Sequence, residues 1–199
     1  MAAGRLHQIQ EEYGGKIELV YKTYPLGPTK DEITRMFGTP ERAKAKILNH
    51  WRATKRLPGS EPINPDLMAS RPFPYPYSMP PLRAVKAAEF QGGMTAHPRM
   101  YDRLQRAHLV EARDVADPEV LFDCARDIGL DMARFRADFE NEASRTAVMA
   151  DLSDAHALGI SGTPTVVFNE KWVLSGAVPI ELYRQVIDDL LAGRDPAAG

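Results

Sequence analysis

Cysteine is almost absent from this chain of 199 residues, which contains only Cys124. One cysteine cannot form an internal disulfide or a Cys-x-x-Cys pair, so the chain by itself carries no dithiol redox motif. Cys124 lies between Leu121 and Ile128 on the apolar side of a predicted helix. A thiol in that setting is typically buried and inert. We therefore expect the polypeptide as given not to catalyse thiol–disulfide exchange.

Long apolar runs and a strong excess of charge are missing as well. No stretch approaches the roughly 18 apolar residues of a membrane-spanning helix, and residues 1–10 lack the apolar core of a signal peptide. The formal net charge is -2, which argues against a general binder of nucleic acids or membrane surfaces. These absences predict a cytoplasmic protein that has neither a nucleic acid nor a membrane as a partner.

The usual catalytic and metal-binding motifs are not found either. The five histidines show no paired ligand spacing, and no glycine-rich phosphate loop or G-x-S-x-G elbow occurs. The residues themselves therefore nominate no catalytic group and no metal ligand. The basic residues of the helix predicted to start at Thr39-Pro40-Glu41 are interpreted as a solvated helix face.

The most informative stretch is residues 159–168, Gly-Ile-Ser-Gly-Thr-Pro-Thr-Val-Val-Phe. Pro164 cannot donate to a sheet ladder, so it belongs at the start of a strand. A Thr163–Pro164 bond in so tight a corner is a candidate for a cis peptide. The apolar runs at residues 166–168 and 172–174 are separated by three residues, which predicts an antiparallel hairpin.

The rest of the chain is mostly predicted to be helical. Residues 1–13 and 179–191 show helical spacing of apolar residues, whereas the alternation over residues 17–24 predicts a strand. Residues 57–81 hold eight of the sixteen prolines and are predicted not to run as a helix. This segment is either a surface connection or a flap that lines a groove with the aromatic side chains of Phe73, Tyr75 and Tyr77.

The order helix, Gly-Thr-Pro corner, strand, hairpin, strand and helix resembles the C-terminal half of a thioredoxin-like domain of the DsbA-like family. Residues 103–108, 113–121 and 128–131 resemble the helical insertion of its FrnE-like branch. The resemblance implies an α/β, thioredoxin-like fold with a large all-helical insertion. Residues 1–30 and 159–199 would form the thioredoxin-like domain, and residues 31–158 the insertion.

The same resemblance implies a binding site at the corner. The backbone of Gly162, Thr163 and Pro164 would pair with an extended peptide or a thiol substrate, and Ser78 occupies a position that lies near the site in relatives. The resemblance implies no metal and no cofactor other than glutathione.

Two classes of function stay open, with a binding-only role as a third. One is a DsbA-family thiol–disulfide oxidoreductase, represented by a chain that lacks its redox motif. The other resembles 2-hydroxychromene-2-carboxylate isomerase or kappa-class glutathione transferase, which use a glutathione thiol in place of their own.

A central strand of the family's sheet, together with its Cys-x-x-Cys, would precede Met1. Either a start codon upstream supplies both, or the two unpaired strand edges are closed by direct pairing or by a partner such as a second copy of the chain.

Overall fold

The computed structural model describes residues 2–56 and 62–196. The chain divides into two compact units. Unit 1 comprises Met1–Val20 and Asp154–Gly199, and unit 2 comprises Tyr21–Ser153.

Unit 1 consists of helices packed on a two-stranded sheet. Its elements are α1 (Ala2–Tyr13), a 3₁₀ turn (Gly14–Lys16), β1 (Thr165–Phe168), β2 (Trp172–Ser175) and α9 (Ile180–Leu191). The strands pair antiparallel, with Thr165 opposite Ser175 and Phe168 opposite Trp172, which confirms the predicted hairpin. The core forms where α1 and α9 meet one face of this hairpin, around Ile9, Tyr183 and Ile187.

Unit 2 contains helices and no strand within the residues that the structure describes. Its helices are α2 (Lys30–Phe37), α3 (Pro40–Lys55), α4 (Pro65–Ser70), α5 (Met79–Gln105), a π-helix (Arg106–Val110), α6 (Pro118–Asp127), α7 (Met132–Glu140) and α8 (Glu142–Ala157), which runs past the division after Ser153. The predicted start of α3 is confirmed, because the Thr39 side chain accepts a hydrogen bond from the Arg42 N–H. Asp117 and Asp131 cap α6 and α7 in the same way.

Two apolar clusters stabilise unit 2. The larger is built by α5, α6 and α7 and contains Met100, Leu121 and Phe135. The smaller joins α3 and α4, with Leu48 and Met68 at its centre. Burial of such side chains contributes about 1.5–3 kcal/mol each.

The predicted strand over residues 17–24 is wrong. The segment is extended at Ile17 but pairs with no strand in the described part of the chain. Its amides are used by helix side chains instead: the Tyr21 N–H donates to Met94 Sδ at 3.4 Å, and the Thr23 N–H donates to Asp151 Oδ2 at 2.8 Å. An alternating apolar pattern predicts which side chains face inward, but a ladder also needs a neighbouring strand.

The prediction that residues 57–81 contain no helix is also wrong, although residues 57–61 lie outside the described residues. Helix α4 occupies Pro65–Ser70. Pro65 stands in its first turn, where a proline removes no helical hydrogen bond, and the Asn64 side chain accepts from the Leu67 N–H. Proline therefore starts this helix.

No helix among residues 2–56 and 62–196 is both long and apolar enough to cross a membrane.

Candidate functional site

The Gly-Thr-Pro corner of unit 1 is held on both sides of Thr163. The Thr163–Pro164 peptide bond is cis. On one side the Gly176 N–H donates to the Pro164 C=O at 2.8 Å, and on the other the Thr165 hydroxyl donates to the Gly162 C=O at 2.8 Å. The structure thus fixes the backbone that enters β1.

Thr163 itself is exposed and makes no backbone hydrogen bond within the described residues. One N–H donor and one C=O acceptor of this exposed residue are therefore left without a backbone partner in the described residues. An extended chain can satisfy both, as a neighbouring strand does in an antiparallel pair.

A cavity of about 230 Å³ lies against this corner. It is lined by residues 159–165 and by Val173, Ser175 and Gly176, none of which has an ionisable side chain. None of these lining side chains can act as a general acid or base, because acid–base catalysis needs a titratable group within reach. The cavity can therefore bind a ligand through hydrogen bonds and shape complementarity.

Gly162 keeps the mouth of the cavity open. A Cβ built on Gly162 has no atom within 4 Å, and its backbone is not in the left-handed region. A side chain at this position would consequently occupy ligand space without straining the fold.

Ser78 belongs to unit 2 and is engaged there. Its N–H donates to the Gly27 C=O at 2.8 Å, and its hydroxyl oxygen accepts from the Gly27 N–H at 3.2 Å. This reciprocal pair ties the loop at Gly27 to the start of α5. The placement of Ser78 near the substrate stays a prediction.

Cys124 is fully buried in the larger apolar cluster of unit 2, as predicted. Burial raises the pKa of its thiol, and the positive charges of Arg103 and Arg113 only partly oppose that shift. A protonated, inaccessible thiol is neither a nucleophile nor a metal ligand.

Sequence reasoning missed a buried ionic network in unit 2. The Lys86 ammonium lies 2.7 Å from Asp151 Oδ2 and 2.9 Å from Glu89 Oε2, and the same Glu89 oxygen lies 2.7 Å from His97 Nδ1. Burial alone raises the pKa of Asp151, but hydrogen bonds from Lys86 and Thr23 outweigh it and hold that pKa below its usual value. No local sequence motif predicts this network, since Asp151 is 65 residues from Lys86 in sequence.

The network is not arranged as a metal centre. No group of three or more His, Cys, Asp or Glu side chains within the described ranges could hold a metal ion. Lys86 occupies the position between the carboxylates that a cation would need. The network cross-links α5 and α8.

Comparisons with known proteins bear on the whole chain. The DSBA-like thioredoxin domain matches residues 1–188. A structure from Nitrosomonas europaea, provisionally described as a protein disulfide isomerase, is 25% identical with a TM-score of 0.74, covering 97% of this chain and 91% of that one. The cytosolic disulfide reductase DsbM from Pseudomonas aeruginosa, solved with GSH, is 25% identical with a TM-score of 0.58, covering 96% and 89%.

Among curated proteins, the ClpXP adapter protein SpxH is similar. The Shouchella clausii protein is 29% identical over 136 residues, 65% of this chain and 44% of the relative. The Halalkalibacterium halodurans protein is 26% identical over 156 residues, 75% and 50% respectively. The chain spans about half the length of these curated relatives. Since the domain match covers nearly its full length, the chain belongs to the DsbA-like thioredoxin-domain family.

Proposed function

We propose that this chain is the scaffold of a DsbA-family thiol–disulfide oxidoreductase whose corner at Gly162, Thr163 and Pro164 binds an extended peptide or a thiol such as glutathione. The observation that carries the proposal is the exposed Thr163 backbone, which is held from both sides yet makes no hydrogen bond of its own in the described residues. The redox cysteines of such an enzyme are absent from these 199 residues.

The chemistry of the cavity supports recognition through the backbone. An extended peptide places an N–H and a C=O side by side, and the cysteine residue of glutathione does the same. Pairing with Thr163 would satisfy both groups, while the uncharged cavity accepts a small side chain. The solved complex of DsbM with GSH is consistent with a glutathione ligand for a fold of this kind.

We also propose the FrnE-like branch and a cytoplasmic location. The helical segments within residues 103–131 support the first assignment. The second is supported by the cytosolic reductase among the structural relatives.

A glutathione-dependent isomerase or transferase is the second candidate. The single buried cysteine favours it, because a chain without an accessible thiol can still use the thiol of a bound glutathione.

The proposal is tested by titrating the ¹⁵N-labelled chain with reduced glutathione and with a seven-residue peptide that has a central cysteine. We expect the amide signals of residues 162–165 to shift. Gly162→Leu should lower the affinity for both ligands by about tenfold or more, which corresponds to a loss of about 1.4 kcal/mol of binding free energy. The circular dichroism spectrum of the variant should be unchanged.

Gly15→Leu is the matched control, since Gly15 is also in unit 1 and also has open space around a Cβ. If neither ligand shifts the corner signals, or if Gly162→Leu binds as tightly as the parent, the proposed site is wrong. Competition between the peptide and glutathione supports the oxidoreductase scaffold, whereas binding of glutathione alone supports the isomerase or transferase.

A further inference from the structure

A groove of about 620 Å³ runs along α3 in unit 2. Its floor is the face of α3 that carries Ala45 and Leu48, and its opposite wall is formed by α4 and the Pro72-Phe73-Pro74 segment. The lining runs from Pro40 to Arg52, so at 1.5 Å per residue the groove follows about 18 Å of the helix. That length accommodates three to four turns of a helix or about five residues of an extended chain.

The wall of this α3 groove is held in place by charged side chains. The Lys44 ammonium donates to the carbonyl groups of Arg71 and Phe73 and lies 5.4 Å from the centre of the Phe73 ring. The Arg71 guanidinium donates to the Glu111 and Ala112 carbonyls. Proline at two of the three wall positions further restricts the backbone. A preformed groove binds with less loss of conformational entropy than one that must be ordered.

The surroundings of the groove are basic, although the whole chain has a net charge of -2. From Glu41 to Arg56 there are six basic side chains and one acidic one; of the basic ones, Arg52 pairs with Asp66 of α4 and Lys44 donates to carbonyl groups. Arg42 and Lys46 are exposed, and neither forms an ion pair within the described part of the chain. At about 100° per residue they lie about 60° and 100° round α3 from Ala45, on the solvent side of the groove.

We propose that the α3 groove is the docking site for an acidic amphipathic segment of a partner protein. Its apolar side chains contact Ala45, Leu48 and Phe73, and its carboxylates face Arg42 and Lys46. The apolar side chains that line the groove favour a peptide over a nucleic acid, because a phosphate backbone gains no free energy from covering them. The proposal for the α3 groove does not rest on ligand binding at the corner in unit 1.

The test uses a display library of random 16-residue peptides, selected on the wild-type chain and counter-selected on Ala45→Trp, which fills the groove. We expect enriched peptides to carry net negative charge and spaced apolar residues. Ala45→Trp and Lys46→Glu should each lower the affinity for an enriched peptide by about tenfold or more. Added salt should weaken it as well, because the rim charges are exposed.

Ala137→Trp is the matched control. Ala137 is an exposed alanine of α7 that does not line the groove, so the affinity of this variant for the peptide should equal that of the wild type. Thermal melting of the three variants verifies that each is folded.

Four results would overturn the proposal. In the first, no peptide distinguishes the wild type from Ala45→Trp, and in the second, the enriched peptides are basic or uncharged. In the third, a labelled oligonucleotide binds in a manner sensitive to Lys46→Glu while no acidic peptide does. A concentration-dependent dimer lost in Ala45→Trp, seen by light scattering without peptide selection, would identify a second copy as the occupant instead.

Discussion

Individual contacts in unit 2 show how the proline-rich segment is anchored. The Tyr75 hydroxyl lies 2.9 Å from His108 Nε2, and the Trp51 ring meets the imidazole edge-on with centroids 5.1 Å apart. Burial lowers the pKa of His108 to about 4. The neutral imidazole can therefore accept the Tyr75 proton at Nε2, and the segment packs against α3 as one wall of the groove. Phe73 lines the groove, as predicted for a flap, whereas Tyr75 does not; both rings also pack against the smaller apolar cluster.

His108 should make folding sensitive to acid. Unfolded, its imidazole binds a proton near pH 6.5, while in the folded chain it does so only near pH 4. The contribution of His108 to the free energy of unfolding is therefore fully present above about pH 6.5 and is lost as the pH falls towards 4. This contribution amounts to up to about 3 kcal/mol. Urea unfolding of His108→Gln between pH 7 and pH 4.5 should show a shallower dependence of the unfolding free energy on pH.

The control for this measurement is His50→Gln, a change at an exposed histidine of α3. It should keep the pH dependence of the wild type. An unchanged slope in His108→Gln would show that the imidazole is protonated equally in the folded and unfolded states.

Among the helices, the break in α5 decides which side chains meet. Gly92 and Gly93 leave helical geometry, with Gly93 at φ 56° and ψ -146°. A Gly-Gly pair is a common interruption of a helix, but it does not indicate which side chains the break brings together. In a straight helix, Glu89 and His97 would be separated by about 12 Å along the helix axis. Across the break, the Glu89 Oε2 and His97 Nδ1 atoms lie 2.7 Å apart.

Gly93→Ala should destabilise the chain by about 1–3 kcal/mol, because this combination of φ and ψ is nearly restricted to glycine. Gly4→Ala is the matched control: Gly4 lies inside α1 with open space around a Cβ and no left-handed φ. There the same change should be neutral or stabilising by up to about 1 kcal/mol. The midpoint of urea unfolding measures both, and a neutral Gly93→Ala would contradict the argument.

Across the molecule, each unit has its own apolar core, and unit 2 adds a polar centre. Asp151 of α8 accepts hydrogen bonds from the N–H and hydroxyl of Thr23 and from the buried ammonium of Lys86 in α5. These contacts join segments as far as 128 residues apart. The segment predicted as a strand is thereby held in an extended form without a ladder.

Asp151→Asn should cost about 3 kcal/mol or more, since it removes a partner of a buried charge. Asp66→Asn tests the contrast, because the Asp66 carboxylate pairs with Arg52 but its side chain is 78% exposed. That change should cost less than about 1 kcal/mol. Equal losses of unfolding free energy in the two variants would show that the burial of the Lys86 pair does not matter.

The sequence by itself determined features that depend on near neighbours. The caps at Thr39, Asp117 and Asp131, the hairpin after Pro164 and the burial of Cys124 all follow from local hydrogen bonding or from apolar periodicity. The position of the corner was predictable for the same reason.

Only the tertiary structure decided features that need distant partners. Residues 17–24 have the alternation of a strand but pair with no strand in the described residues, and Asp151 supplies one of their acceptors. The ionic network and the α3 groove arise where helices far apart in sequence pack together. A ladder, a buried ion pair or a groove requires two surfaces, and a sequence pattern specifies only one of them.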